Sequence, residues 1–295
     1  QLEQCDYDII GEGSQGTVYL CTNKQSNQRF VVKEVELGQM SAKEKELVLN
    51  EAHLYQSQLS HPNLIKYINS ELSGQNLYLF MEYANSGTLL DFLKNLSEQN
   101  TVLREQEIWL VLLSLMHVLR YLHSENYIHR DIKPDNVFMH QENGVLKVFL
   151  GDLGMSKNIL QQKPTTIVGT WEFQAPEITR NYGKEIDFWS VGIVLYLMLS
   201  FRLPVMRAES SENEKNRIRK LISQTELPPI ETKYKELNEI MKQLTKIKVE
   251  ERLTANQFFE MKLVKQKIEE LEQTYQLGYM KSLLTKLIFK LFKQY

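Results

Sequence analysis

The run His129-Arg130-Asp131-Ile132-Lys133-Pro134-Asp135-Asn136 limits this chain more sharply than any other feature. A loop without a chemical task rarely gathers an acid, a lysine and an amide in this order. The run lies between a helix predicted over Glu105 to His123 and a strand that begins near Val137. Asp152-Leu153-Gly154 follows the apolar strand Leu146 to Leu150, sixteen residues beyond Asn136. Gly169-Thr170, Ala175-Pro176-Glu177, Asp187-Phe188-Trp189-Ser190-Val191-Gly192 and Arg252 come after it in that order.

Up to about residue 83 the pattern is strand-like with one helical interruption. Tyr7 to Ile10, Thr17 to Cys21, Phe30 to Val35, Leu64 to Ser70 and Leu77 to Tyr83 are short β-branched or aromatic runs. Between them, Ser41 to Leu59 repeats Leu47, Val48, Glu51, Leu54 and Tyr55 at helical spacing, with a capping box from Ser41 and Glu44. After Asn85-Ser86-Gly87, helices predominate: Leu89 to Leu96, Glu105 to His123, and most of Pro176 to Leu263. Five antiparallel N-terminal strands with one helix, then a mainly helical half, predict an α+β bilobal architecture with a cleft between the lobes. The expected divisions are 1–83, 84–262 and a tail over 263–295.

Gly11-Glu12-Gly13-Ser14-Gln15-Gly16 is weak as a motif until its neighbours are read. A dinucleotide-binding turn needs a helix after the last glycine, yet Thr17-Val18-Tyr19-Leu20 is strand-forming. A P-loop needs Lys after that glycine, and Thr17 stands there. What remains is a glycine-rich hairpin tip whose backbone N–H groups can approach phosphates closely. Val31-Val32-Lys33 adds a cation on the next strand, and Glu51, in the middle of the predicted helix, is placed to orient it.

Composition narrows the function classes. Lys and Arg number 35 against 37 Asp and Glu, a net charge of −2, which argues against a surface built for nucleic acid. Apolar residues at 42% and charged residues at 24% exclude disorder and low-complexity architectures. Two cysteines, Cys5 and Cys21, are too few for a disulfide scaffold and suit a reducing, cytoplasmic setting. The most apolar runs, Ile108 to Met116 and Val191 to Leu199, fall short of the roughly 18–20 residues that span a bilayer. The N-terminus carries Glu3, Asp6 and Asp8 in place of the basic and apolar regions of a secretory signal.

The ordered set of motifs resembles the eukaryotic protein kinases from about residue 7 to 262. Lys133, two residues after Asp131, is similar to the serine/threonine branch. Trp109 in the long helix, the Ile128-to-Asn136 run and the Asp-Leu-Gly variant resemble NIMA-related kinases. The resemblance implies ATP and Mg²⁺ as cofactors and protein Ser/Thr hydroxyls as acceptors. Gly11, Gly13, Ser14 and Gly16 would cover the phosphates, with Lys33, held by Glu51, on the α- and β-phosphates. Asp131 would orient the substrate hydroxyl, Lys133 would neutralise the γ-phosphate, and Asn136 and Asp152 would hold Mg²⁺. Adenine would lie between Ile10, Val18 and Val31 above and Phe138 below, with its edge on backbone groups of Glu82 and Ala84. Met81 fills the gatekeeper position, and Glu177 with Arg252 looks like a bracing ion pair. Arg130 beside Asp131 implies control by a phosphate on Thr166, with Thr165 the near alternative.

Leu153, Val31 and Trp171 depart from the residues usual at their positions, and none of them removes a charge the chemistry needs. A lipid or small-molecule kinase is disfavoured by residues 169–177, which resemble a peptide platform. A pseudokinase scaffold, binding nucleotide or partners without transfer, is the alternative; the complete set Lys33, Asp131, Asn136 and Asp152 argues against it. In the tail, Val264, Ile268, Leu271 and Tyr275 are spaced at helical intervals in a polar helix. Met280 to Tyr295 then forms a basic amphipathic helix, either docked on the helical lobe or lying on an anionic membrane or partner groove.

Overall fold

The computed structural model describes residues 4–13, 16–38, 40–41, 45, 48, 59–142, 144–158, 169–179, 182–204, 217, 219–220 and 222–275. The N-terminal lobe is built on β1 (Cys5–Gly13), β2 (Gly16–Asn23), β3 (Arg29–Glu36), β4 (Tyr67–Ser73) and β5 (Asn76–Glu82). They form a five-stranded sheet in the order β1-β2-β3-β5-β4, antiparallel throughout as expected. Alternation sorts its side chains into two faces. Cys21, Val32 and Phe80 form one buried cluster with Cys5, while Val35, Leu77 and Leu79 form another on the opposite face. Val18, Val31, Lys33 and Met81 share the face of the second cluster, by register and alternation.

One strand begins later than its apolar run suggested. β4 starts at Tyr67, whereas Leu64 bridges to Leu150 and the Ile65 N–H donates to the Leu150 carbonyl at 2.8 Å. The apolar residues at 64 and 65 are spent on joining the lobes. Asn63 completes that joint: its carbonyl accepts from the Leu150 N–H at 2.8 Å, and its Nδ2 donates to the Val148 carbonyl at 3.0 Å. Of the helix expected over Ser41 to Leu59, Lys45 and Val48 are described and helical, and the Lys45 N–H donates to the Ser41 carbonyl at 3.0 Å.

The second lobe is mainly helical. α1 (Leu89–Glu98) opens on a capping box in which Thr88 and Asp91 each bond the other's backbone N–H. α2 (Glu105–Ser124) buries most of its residues. Short strands β6 (Tyr127–Ile128), β7 (Val137–Glu142), β8 (Val145–Leu150) and β9 (Lys157–Asn158) flank the motif loops, and β7 pairs with β8. α3 (Glu185–Ser200) is apolar around nearly its whole circumference and correspondingly buried. α4 (Lys235–Leu244), α5 (Ala255–Glu260) and α6 (Lys262–Tyr275) complete the lobe. Val264, Ile268 and Leu271 of α6 are buried in the lobe's single core, which absorbs the apolar stripe read at the start of the tail. Residues 276–295, the basic amphipathic part, lie outside the described residues.

Candidate active site

The His129-to-Asn136 loop is held from below by Asp187, a fully buried residue near the start of α3. Its carboxylate accepts the His129 N–H at 2.9 Å, the Arg130 N–H at 2.9 Å, and His123 Nε2 at 2.8 Å. Burial pushes the Asp187 carboxyl up, but the bond and charge of His123, with His129 and the Arg130 N–H, more than offset this and hold it below the ordinary carboxylate range. Two consecutive N–H groups thus converge on one carboxylate, and Arg130 itself takes a left-handed conformation, φ +72°. His129 then reaches across the loop. Its Nε2 contacts the Gly151 carbonyl at 3.0 Å and its Nδ1 accepts the Asp131 N–H at 3.3 Å.

Above this anchor the charged groups meet. Asp131 Oδ2 lies 2.9 Å from Lys133 Nζ, and Oδ1 accepts both the Thr170 N–H at 2.8 Å and the Thr170 hydroxyl at 3.0 Å. The same hydroxyl accepts from Lys133 Nζ at 2.9 Å. Asn136 Nδ2 donates to the Asp131 carbonyl at 2.8 Å and to Oδ2 at 3.1 Å. Desolvation raises the Asp131 carboxyl, yet Lys133, the Thr170 N–H and His129 outweigh it, and the group sits below its ordinary value. It is ionised at neutral pH. The Asn136 Nδ2 is thus turned to Asp131.

Asp152 follows the lobe joint directly and takes a left-handed conformation, φ +59°, its Oδ1 accepting from the Gly154 N–H at 3.3 Å. The Gly151 N–H donates to the Asn136 carbonyl at 2.9 Å, so the two expected cation ligands are tied through one peptide. Gly151 also leaves room for Phe138. A Cβ there would stand 2.5 Å from the Phe138 ring and 3.1 Å from Ile65. Among the described residues no three His, Cys, Asp or Glu side chains group as a metal site. Two oxygen donors fit a cation that brings its remaining ligands as phosphate and water oxygens, which is the habit of Mg²⁺.

On the upper side of the cleft, Gly13 pairs with Gly16 across the β1–β2 turn, so the glycine-rich segment is a hairpin tip. Gly11 pairs with Val18, and Ile10 falls at a register shift and is half exposed. Gly16 has a structural reason of its own. Its φ is +117° and a Cβ would lie 1.9 Å from the Glu34 carbonyl oxygen. Gly13 meets nothing within 4 Å and is the open position of the three. Lys33 lies opposite Val18 and Leu79, and Val31 opposite Met81. The Glu82 N–H donates to the Lys66 carbonyl at 2.9 Å. Ala84 comes two residues after Glu82, and the chain after it is stitched to β7 by the Ser86 N–H on the Met139 carbonyl. Ser14, Glu51, Thr165 and Thr166 lie outside the described residues.

Residues 6–264 match the protein kinase domain family. The chain belongs to the protein kinase family. It is 32% identical over 263 residues to the probable serine/threonine-protein kinase nek3 of Dictyostelium discoideum, covering 87% of this chain and 23% of the relative. It is 32% identical over 264 residues to the serine/threonine-protein kinase Nek5 of Homo sapiens, covering 85% and 35%. The serine/threonine-protein kinase DCLK3 of Mus musculus matches at 33% over 215 residues, 70% of this chain and 26% of the relative. The chain thus spans about a quarter to a third of the length of these relatives. The Nek names agree with the resemblance to NIMA-related kinases read from the motifs.

Within this kinase domain the ion pair of Glu177 and Arg252 is formed. Arg252 Nη2 donates to Glu177 Oε2 at 3.1 Å, Nη1 donates to Oε1, and Nη1 also reaches the Glu185 carbonyl at 3.0 Å. The Arg252 side chain is wholly buried and its guanidinium lies 5.2 Å from the Trp189 ring centre. Arg130, expected to receive a phosphate, donates through Nε to the Met155 carbonyl and through Nη1 to the Tyr182 hydroxyl at 3.3 Å. Reasoning from sequence missed His123 as a partner of Asp187, and missed that Asp187 supports the loop. The two residues are 64 positions apart, and no local pattern pairs them. The no-span expectation agrees with the structure in this sense: no described helix is long and apolar enough to cross a membrane.

Proposed function

We propose that this chain is an ATP- and Mg²⁺-dependent serine/threonine protein kinase of NIMA-related kind, moving the γ-phosphoryl group of ATP to Ser or Thr hydroxyls of protein substrates. The carrying observation is the convergence of Lys133, Thr170 and Asn136 on the Asp131 carboxylate. Asp131 accepts the hydrogen bond of the acceptor hydroxyl and aligns its oxygen; the weakly basic carboxylate takes the proton as the new P–O bond forms and the bond from the γ-phosphorus to the β–γ bridging oxygen breaks, releasing ADP. Lys133 turns its ammonium to the phosphoryl oxygens, and Thr170 keeps Asp131 from following it. Bound Mg²⁺ would offset the charge of the phosphates, with Asn136 and Asp152 as its protein ligands.

Gly11, Gly13, Ser14 and Gly16 cover the phosphates in this proposal, and Lys33, oriented by Glu51, fixes their position. Ile10, Val18 and Val31 cover the adenine face opposite Phe138, and the Glu82 carbonyl and Ala84 backbone read its edge. Thr166, once phosphorylated, draws Arg130 from its present partners. The setting is a reducing, cytoplasmic one, and the basic helix expected over Met280 to Tyr295 docks on the helical lobe or lies on an anionic membrane or partner groove.

The test is ATP/Mg²⁺ phosphotransfer to casein or to the chain itself, comparing the natural protein with Asp131→Asn and Asp152→Asn. Each substitution is expected to lower the rate at least ~10²-fold. Equal residual rates in all three proteins would sink the enzymatic proposal. Stabilisation by ATP and Mg²⁺ without any transfer would instead identify a pseudokinase scaffold.

A further inference from the structure

Gln174 sits between two elements that the chemistry does not obviously connect. It is nine-tenths buried and spends both ends of its amide. Nε2 donates to the Gly169 carbonyl at 2.8 Å, and Oε1 accepts from Arg219 Nη2 at 3.0 Å. Arg219 is itself nine-tenths buried and belongs to a helical segment distant from the loop in sequence. Gly169 is the residue before Thr170, with φ +90°, and a Cβ on it would stand 2.3 Å from the Arg130 carbonyl. The peptide joining Gly169 to Thr170 therefore carries the Gln174 bond on its oxygen and the Asp131 bond on its N–H.

A peptide group is planar, so a bond accepted at its oxygen sets the direction of its N–H. Hydrogen bonding at both ends of one peptide is also mutually reinforcing in a site shielded from water. We propose that Gln174 is a positioning residue for Asp131: it orients the Gly169–Thr170 peptide, and Arg219 holds Gln174 in the required rotamer. This rests on the kinase function proposed above. Asp131 gets one of its two Oδ1 donors from that peptide, the other being the Thr170 hydroxyl. Loosening Gln174 should thus misalign the carboxylate, while the glycine-rich tip and β3 in the other lobe stay as they are.

The variants are Gln174→Met, which keeps length and volume without either bond, and Gln174→Glu, which keeps the acceptor for Arg219 but loses donation to Gly169. Hydrogen–deuterium exchange reads the Thr170 amide without requiring activity, and both variants are expected to exchange there ~5-fold or more faster, with unchanged rates in α2 and α3. In steady-state transfer, kcat should fall ~3–10-fold with KM for ATP unchanged within about twofold. Thr170 exchange unchanged in a folded variant overturns the proposal. So does a rise in exchange spread evenly through the lobe, since that marks a purely structural role. If the natural chain transfers no phosphate, the kinase function fails by itself, and the exchange arm still decides the positioning role.

Discussion

Thr170 places both its N–H and its hydroxyl on a single oxygen of Asp131, at 2.8 and 3.0 Å. These residues are 39 positions apart, and the contact closes the catalytic loop against the segment that would carry the substrate. Thr170→Val keeps the shape and the N–H bond but removes the hydroxyl from both Asp131 and Lys133. The expected outcome is a kcat lower by roughly 10-fold with little change in KM for ATP, measured in steady-state transfer. An unaltered kcat would show that Lys133 and the backbone N–H suffice.

Asp187→Asn should act on stability and activity together. The amide offers one acceptor where the carboxylate offers two, and its NH₂ would face an N–H donor. A loss of about 2–4 kcal/mol in urea unfolding is expected, since charged bonds to buried N–H groups are broken. A stability loss below about 0.5 kcal/mol would mean that the loop holds its own shape.

The sign of the acid response follows from the two depressed carboxyls. Asp131 and Asp187 both titrate below their ordinary value in the folded chain. Their contribution is therefore complete above the unfolded pKa near about 4, and is lost as pH falls through the lowered folded values. Urea midpoints measured from neutral pH down to about pH 3 should drop in the acid range, and the drop should be smaller in Asp187→Asn.

Removing one partner of the Glu177–Arg252 pair leaves a buried charge. Glu177→Ala is expected to destabilise the domain by about 3–5 kcal/mol, and the double substitution Glu177→Ala with Arg252→Met by less. Chemical denaturation of both variants checks this. Additive losses would show that the pair is not energetically coupled.

Gly151→Ala tests the floor of the nucleotide site. The added methyl must displace the Phe138 ring, which it would otherwise approach to 2.5 Å. KM for ATP should rise several-fold, on the order of 3–10, while kcat at saturation changes less. An unchanged KM would mean that Phe138 can shift without cost to nucleotide binding.

Much of this was legible in the chain. Alternating runs such as Phe30 to Val35 and the wide apolar face of Glu105 to His123 carry their own periodicity, so strands and helices could be placed locally. The motif order placed Asp131, Lys133, Asn136 and Asp152 in one cleft by resemblance. Leu64 and Ile65 were misread as strand because apolarity does not tell sheet packing from a joint between lobes.

What the sequence determined alone were the groups with short-range causes: the strand period of Phe30 to Val35, hairpin pairing at the glycine-rich tip, and the apolar run within α3. Only the tertiary structure decided which distant groups satisfy one another. Asp187 under the loop, Thr170 over Asp131 and Arg219 on Gln174 are hydrogen bonds, whose direction and length depend on where separate elements finally pack. Periodicity in a sequence reports which face is apolar, but it holds no record of the partner that face, or a buried polar atom within it, will meet.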